Sequence, residues 1–176
     1  MKRTFDVSMA VLGLVLAAPL LAIISVLIKL DSQGPVIFRQ VRVGQGFRPF
    51  AIRKFRTMAV DAPGTGLPLT VGQDSRITRI GRILRKCKLD ELPQLWNVLI
   101  GDMSFVGPRP EVPRYVECLR AEFSEVLTVR PGITDLASLR YIDEASILAY
   151  SSNPEEEYQL KVLPEKLRLA KFYIRH

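Results

Sequence analysis

Every position from Val7 to Ile28 is uncharged, and only Ser8 and Ser25 carry hydroxyls. As a straight helix this run would rise about 33 Å at 1.5 Å per residue, against a bilayer core of about 30 Å. Three readings compete. A cleaved signal peptide is the weakest, because the apolar character runs on past Ala17-Ala18. A single spanning helix is the default on hydropathy alone. A re-entrant hairpin that enters and leaves by one face is the third. Pro19, near the middle, removes a backbone hydrogen bond and kinks or breaks a helix there. Lys2 and Arg3 precede the run, and Lys29, Arg39 and Arg42 follow it. Positive charge collects on the cytoplasmic side, and a hairpin keeps both basic clusters on that side.

Beyond the apolar run the pattern changes to short mixed elements. Pro35 to Val43 is rich in β-branched residues, Gly44-Gln45-Gly46 is a turn signal, and Phe47 to Met58 reads as a second strand, which together predict a β-hairpin. Ala59 to Gln73 is rich in proline and glycine and predicts a long mobile loop, either a lid or a plain surface connection. Asp74 or Ser75 can cap a helix that starts at Arg76. In it Ile77, Ile80, Leu84 and Cys87 share one stripe, and Arg76, Arg79, Arg82, Arg85, Lys86 and Lys88 cover the rest. A further helix starts near Asp90, with Leu92, Leu95, Trp96 and Leu99 at helical spacing and Pro93 in the first turn, where proline is tolerated. Pro154-Glu155-Glu156-Glu157 is an acidic helix start. Pro164 leads into a last amphipathic helix over 165–176, with Leu167, Ala170, Phe172 and Ile174 on its apolar side. No internal repeat is present. The predicted fold is α+β and mainly helical. An apolar membrane segment at 1–30, spanning or re-entrant, precedes a β-hairpin and surface amphipathic helices in one small domain over 31–176.

Composition narrows the chemistry. The single histidine is His176, which nearly excludes histidine triads and multi-histidine metal sites. Cys87 and Cys118 form no CxxC pair, so a zinc ribbon or a disulfide scaffold is disfavoured, and unpaired cysteines suit a reducing cytosol. Catalysis must rest on Asp, Glu, Lys, Arg, Ser, Thr or Tyr. With 25 Lys and Arg against 18 Asp and Glu, the formal charge is +7. The basic stripe at 76–88 suits phospholipid headgroups or nucleic acid. Without interleaved aromatics or a binding motif, nucleic acid is set aside.

Two constellations could do chemistry. Asp90-Glu91 places two carboxylates at a predicted helix N-terminus, where free amides attract anions such as phosphate, just after the basic helix. Carboxylates can bind Mg²⁺, and an aspartate can act as a nucleophile. Acidic pairs are also ordinary caps, and Asp143-Glu144 is a second copy. Arg109 lies between Pro108 and Pro110, and Arg130 precedes Pro131. A residue before proline is held extended, which lowers the cost of aiming a guanidinium at phosphate oxygens. The alternative is a pair of tight turns with solvated arginines.

The segments KFRTM (54–58), DSRITRIGRILRK (74–86), LDELPQLWNVLIGDMSFVGPRP (89–110) and VRPGIT (129–134) resemble the bacterial small monotopic phosphoglycosyl transferases. With the apolar N-terminal run, the resemblance covers roughly residues 1–135. It implies transfer of a phospho-sugar from a nucleotide diphospho-sugar, usually a UDP-sugar, to a polyprenyl phosphate such as undecaprenyl phosphate. The products are a polyprenyl diphospho-sugar and UMP, the first membrane step of glycoconjugate synthesis, for instance of exopolysaccharide or lipopolysaccharide. It implies that Asp90 is the nucleophile of a covalent phosphosugar intermediate and a Mg²⁺ ligand, and that Glu91 completes the dyad. Lys54, Arg85, Arg109 and Arg130 match substrate-binding residues. The implied setting is the cytoplasmic face of the bacterial inner membrane, with a monotopic anchor that breaks at Ala18-Pro19 and a catalytic domain over 31–176.

Three positions depart from the family pattern. Ala18 stands where many members have serine, Asp135-Leu136 where many have Gly-Trp, and the chain ends at His176 where longer members carry a further amphipathic stretch. Two other readings stand beside the transferase: a catalytically inert protein that binds anionic lipid or glycan intermediates at the membrane, and a direct-displacement enzyme in which Asp90 only binds metal. The sugar and the pathway are not encoded legibly, and a homodimer is left open.

Overall fold

The computed structural model describes residues 1–59, 74–142 and 144–176. The mobile loop expected at 59–73 lies, from residue 60 on, outside the described residues, as does Asp143. The described residues fall into two compact units. One gathers residues 1–41, 51–59 and 75–104, the other residues 42–50, 74, 105–142 and 144–176.

The first unit is built on α1, Lys2–Asp31. Helical conformation continues through Ala18 and Pro19, so the interruption expected there is not a gap in the helix. Proline deletes one N–H from the ladder, and the Leu, Ala and Ile residues on either side carry the helix on. The helix is long and apolar enough to cross a membrane. Most of its apolar side chains are exposed, Leu16 at 70% and Leu30 at 79%, whereas a core helix of a soluble domain would bury them. What α1 buries is near its two ends. Arg3 donates to the carbonyls of Val98 (2.6 Å) and Leu99 (2.9 Å), and buried Asp6 accepts from the Ser104 hydroxyl at 2.9 Å. Toward the other end Ile24 and Ile28 pack with Phe55 and Leu84, and Asp31 accepts from the backbone N–H of Ile80 at 3.0 Å.

The hairpin forms as the sequence predicts, from β1 (Ile37–Val43) and β2 (Pro49–Phe55). Its tip takes positive φ at Gly46 (65°) and Phe47 (60°). The tip residues 42–50 belong to the second unit. The helix expected from Arg76 begins later, as α2 (Arg79–Lys86). Residues 76–78 stay out of the helix because they pair with the chain after β2: Met58 bridges Ile77, Ala59 donates to Arg76 O (2.9 Å) and Thr78 to Thr57 O (3.0 Å). The cap is therefore Thr78, whose hydroxyl accepts from Gly81 N at 3.0 Å, and not Asp74 or Ser75. Gly81 admits no side chain, since a Cβ there would lie 2.2 Å from the Thr57 carbonyl oxygen. Cys87 caps the C-terminus of α2 and is exposed, so it leaves the expected apolar stripe. The helix expected from near Asp90 also begins later, as α3 (Gln94–Ile100) with Pro93 at its N-cap, so Asp90 and Glu91 lie before it in a 3₁₀ turn at Leu89–Glu91 rather than at its N-terminus.

The second unit holds α4 (Pro113–Cys118), α5 (Arg120–Val126), α6 (Leu136–Arg140), α7 (Glu144–Ala149), α8 (Pro154–Glu157) and α9 (Leu163–Arg175). Strand β3 (Ser104–Val106) pairs with β4 (Gly132–Thr134). The acidic start at Pro154 and the last helix are one helical segment, joined by a π-turn at Tyr158–Val162. Pro164 sits in the first turn of α9, where its missing N–H costs little. Tyr115, Phe123, Leu148, Leu163 and Leu167 form the core. Glu111 is buried in it and accepts from the Tyr158 hydroxyl at 2.6 Å, with Arg42 at 3.6 Å. Burial, and then the Glu111 charge, push the Tyr158 phenol far above its ordinary value.

Candidate active site

Asp90 and Glu91 lie in the 3₁₀ turn between α2 and α3, entered through Lys88 at a left-handed φ of 56°. That turn faces Asp90 inward. It is only 8% exposed, and its Oδ1 is buried with no hydrogen-bond partner. Burial raises the Asp90 carboxyl above the ordinary aspartate value. Lys54 and Arg85 pull it back down, and the Glu91 charge pushes it up. Lys54 comes from β2, and its Nζ sits 2.7 Å from Glu91 Oε1. Arg85 comes from the last turn of α2 and donates through Nε to the Thr57 hydroxyl at 2.8 Å. Four sequence-predicted site residues thus share one neighbourhood in the first unit.

Two residues that the sequence reading passed over hold this neighbourhood in register. Thr57 receives Arg85, as described. Asn97, on α3, is 0% exposed. Its Oδ1 accepts from Arg53 N (3.0 Å), and its Nδ2 donates to Ala51 O (2.8 Å) and Asp102 Oδ2 (3.1 Å). That sutures α3 to β2 immediately before Lys54. A second amide three residues after Gln94, among the apolar residues of this helix, was the available signal. Not every basic residue after the apolar run faces outward. Arg56 is buried and donates to the Ser32 and Gln33 carbonyls, closing the chain that leaves α1.

The other two predicted residues belong to the second unit. Arg109 is held at its backbone by Asp135, whose Oδ2 accepts from Arg109 N at 3.0 Å, and its NH1 donates to Ile133 O at 3.2 Å. Asp135 also caps α6 through Ser138 N at 2.7 Å. The residue that departs from the family pattern is therefore a local clamp. Arg130 is exposed. Both arginines flank one backbone crossing, where a Cβ on Gly132 would fall 2.2 Å from Gly107 N. Only glycine permits that approach.

Among the described residues no group of three or more His, Cys, Asp or Glu side chains could hold a metal ion. A cation at the dyad would have two carboxylates and the phosphates of a ligand, an oxygen set that suits Mg²⁺. The buried, unpaired Asp90 Oδ1 fits that demand.

Residues 1–176 match a family model described as bacterial sugar transferase. The chain belongs to the bacterial sugar transferase family. Among its relatives is the UDP-glucose:undecaprenyl-phosphate glucose-1-phosphate transferase of Caulobacter vibrioides, 47% identical over 79% of this chain and 53% of that protein. The UDP-N-acetylgalactosamine-undecaprenyl-phosphate N-acetylgalactosaminephosphotransferase of Aeromonas hydrophila is 45% identical over 78% of this chain and 33% of that protein. The exopolysaccharide production protein PSS of Rhizobium leguminosarum bv. phaseoli is 44% identical over 80% of this chain and 74% of that protein. The sugar transferases named here are thus matched over a third to a half of their length, and PSS over about three quarters.

Proposed function

We propose that this bacterial sugar transferase moves a phospho-sugar from a UDP-sugar to undecaprenyl phosphate, yielding undecaprenyl diphospho-sugar and UMP. The observation that carries the reading is the buried Asp90 carboxyl with one unpaired oxygen, under the positive charges of Lys54 and Arg85 and in the unit that also bears the apolar helix α1. A carboxylate oxygen of Asp90 bonds to the sugar-bearing phosphorus while the bond from that phosphorus to the bridging oxygen breaks, and UMP leaves with that oxygen. The phosphate oxygen of the acceptor then attacks the same phosphorus and frees Asp90. Lys54 holds Glu91 in place, and the charges of Lys54 and Arg85 oppose the negative charge that gathers at the reacting phosphoryl group. Asp90, with Glu91 beside it, would hold Mg²⁺, which supplies charge neutralisation for the donor phosphates. Arg109 and Arg130 are assigned to the nucleotide-sugar by the residue match alone.

The acceptor's tail stays in lipid, so the site must work at a membrane surface. In this reading α1 is a re-entrant anchor with both ends at the cytoplasmic face of the inner membrane. Two features support it: Pro19 within the helix, and the docking of Arg3 and Asp31, near opposite ends of α1, on the same unit.

The test is intact mass of the full chain after mixing with Mg²⁺ and UDP-glucose or UDP-N-acetylgalactosamine, without acceptor. A gain of one phosphosugar is expected, absent in Asp90→Asn and after chelation of divalent cations. UMP release only on addition of undecaprenyl phosphate, with no mass gain under rapid quench, would replace the covalent route by direct displacement.

A further inference from the structure

Gln94, like Asn97, is a fully buried polar side chain near the dyad. It is 0% exposed, and neither its Nε2 nor its Oε1 has a hydrogen-bond partner. An amide held this way carries a desolvation cost that nothing in the fold offsets. It lies four residues after Asp90, whose Oδ1 is also buried and unpaired. Leu92 (φ −52°, ψ −37°) and Pro93 (φ −62°, ψ −14°) are both right-handed helical, so the backbone turns helically from the dyad into α3. Residues four apart on such a turn share a face. An unpaired donor and an unpaired acceptor therefore sit on one face of one turn, and no hydrogen bond joins them.

Pairing Gln94 directly with Asp90 would satisfy both groups, and the fold does not do it. The arrangement suits a group that enters between them and bears acceptor oxygens. We infer that Gln94 is a catalytic residue of this site, donating from its side-chain amide to a non-bridging oxygen of the phosphoryl group as Asp90 receives it. This rests on the transferase reading. Phosphoryl oxygens gain charge as the transfer proceeds, and a pre-placed donor in a water-poor site stabilises that state more than the bound substrate. The Gln94 Oε1 is left as an acceptor for a hydroxyl of the same sugar-phosphate.

The test compares wild type with Gln94→Met, close in volume and without polar donors. The substrates are undecaprenyl phosphate and whichever of UDP-glucose or UDP-N-acetylgalactosamine labels the wild type. The expected result is a thermal midpoint equal to or above that of wild type, because two unpaired polar atoms have gone. KM for the donor stays within about threefold, and kcat falls by about tenfold to a hundredfold, with the loss in the rate of phosphosugar adduct formation. Gln94→Asn keeps the amide but withdraws it by one methylene. It is expected to fold and to slow the same step, which keeps the inference testable if the methionine variant fails to fold. A kcat within twofold of wild type in either variant would overturn the inference, as would a rate loss that only tracks a lowered midpoint. If Gln94→Met is fully active while Asp90→Asn forms no adduct, the inference falls and the transferase reading stands. If the wild type itself neither gains mass nor releases UMP, the reading fails and takes the inference with it.

Discussion

Residue by residue, the dyad's surroundings are set by second partners rather than by the charged groups alone. Arg85 could sweep a wide arc from the end of α2, but its Nε is tied to the Thr57 hydroxyl at 2.8 Å. Thr57 is itself buried and fixed through its backbone to Thr78. Thr57→Val keeps the shape and removes only the acceptor. It is expected to raise KM for the UDP-sugar about tenfold, the equivalent of one hydrogen bond to a charged group at about 1.5 kcal/mol, with the fold intact by thermal unfolding. An unchanged KM would show that Arg85 does not meet the donor. Lys54 works differently, because its ion pair with Glu91 at 2.7 Å is largely enclosed, with side chains 22% and 15% exposed. Lys54→Met leaves the Glu91 carboxylate without this cation, and leaving one charge of such a pair behind costs more than the pair was worth. Steady-state turnover should drop at least about tenfold, with partial recovery in Lys54→Arg, which restores charge but not shape.

Among the elements, those that local pattern specifies were legible and those that distant pairing specifies were not. The hairpin β1–β2 and helix α3 follow from β-branched runs, a glycine turn and apolar spacing, all visible within a dozen residues. The start of α2 was misjudged by three residues because Met58 and Ile77 pair across a loop, and no local signal marks that bridge. The glycine crossing at Gly107 and Gly132 is likewise a contact between segments far apart in sequence. The dyad was legible as residues, while the buried environment that sets Asp90 apart from an ordinary helix cap was not. Gly81 carries the same lesson into stability. Gly81→Ala would drive a methyl group into the Thr57 carbonyl, and the backbone there cannot yield without moving both α2 and the Thr57 tie to Arg85. A loss of about 1–3 kcal/mol in unfolding free energy is expected. Helix α3 offers a direct physical reading of its setting. Trp96 is the chain's only tryptophan, is 47% exposed, and shares an outward stripe with Ile100 at 49%. Tryptophan favours the headgroup level of a bilayer. Its emission should be quenched by lipids brominated high on the acyl chain and far less by lipids brominated near the methyl end.

At the scale of the whole molecule, the net charge of +7 and the exposed apolar surface of α1 are the features on which the proposed membrane setting rests. What decides the topology is whether α1 crosses. A crossing helix must carry either Lys2 and Arg3 or Lys29 and the basic hairpin to the far side, against the distribution of positive charge that membranes impose. It must also release one of its two tethers, since Arg3 holds the Val98 and Leu99 carbonyls and Asp31 holds the Ile80 amide within a single unit. A helix that returns keeps both, and Pro19 supplies the place where the ladder is already one hydrogen bond short. The measurement is cysteine accessibility in intact cells, in a Cys87→Ser, Cys118→Ser background because both native thiols are exposed. Single cysteines placed at Lys2 and at Ser32 should both resist a membrane-impermeant maleimide and both react once the inner membrane is opened. Labelling of either one in intact cells would make α1 a spanning helix. Pro19→Leu, which restores the missing N–H, should shift the chain toward that outcome. The position at Lys2 would then become accessible and turnover would fall, because the Arg3 tether to α3 is lost when the helix straightens through the bilayer.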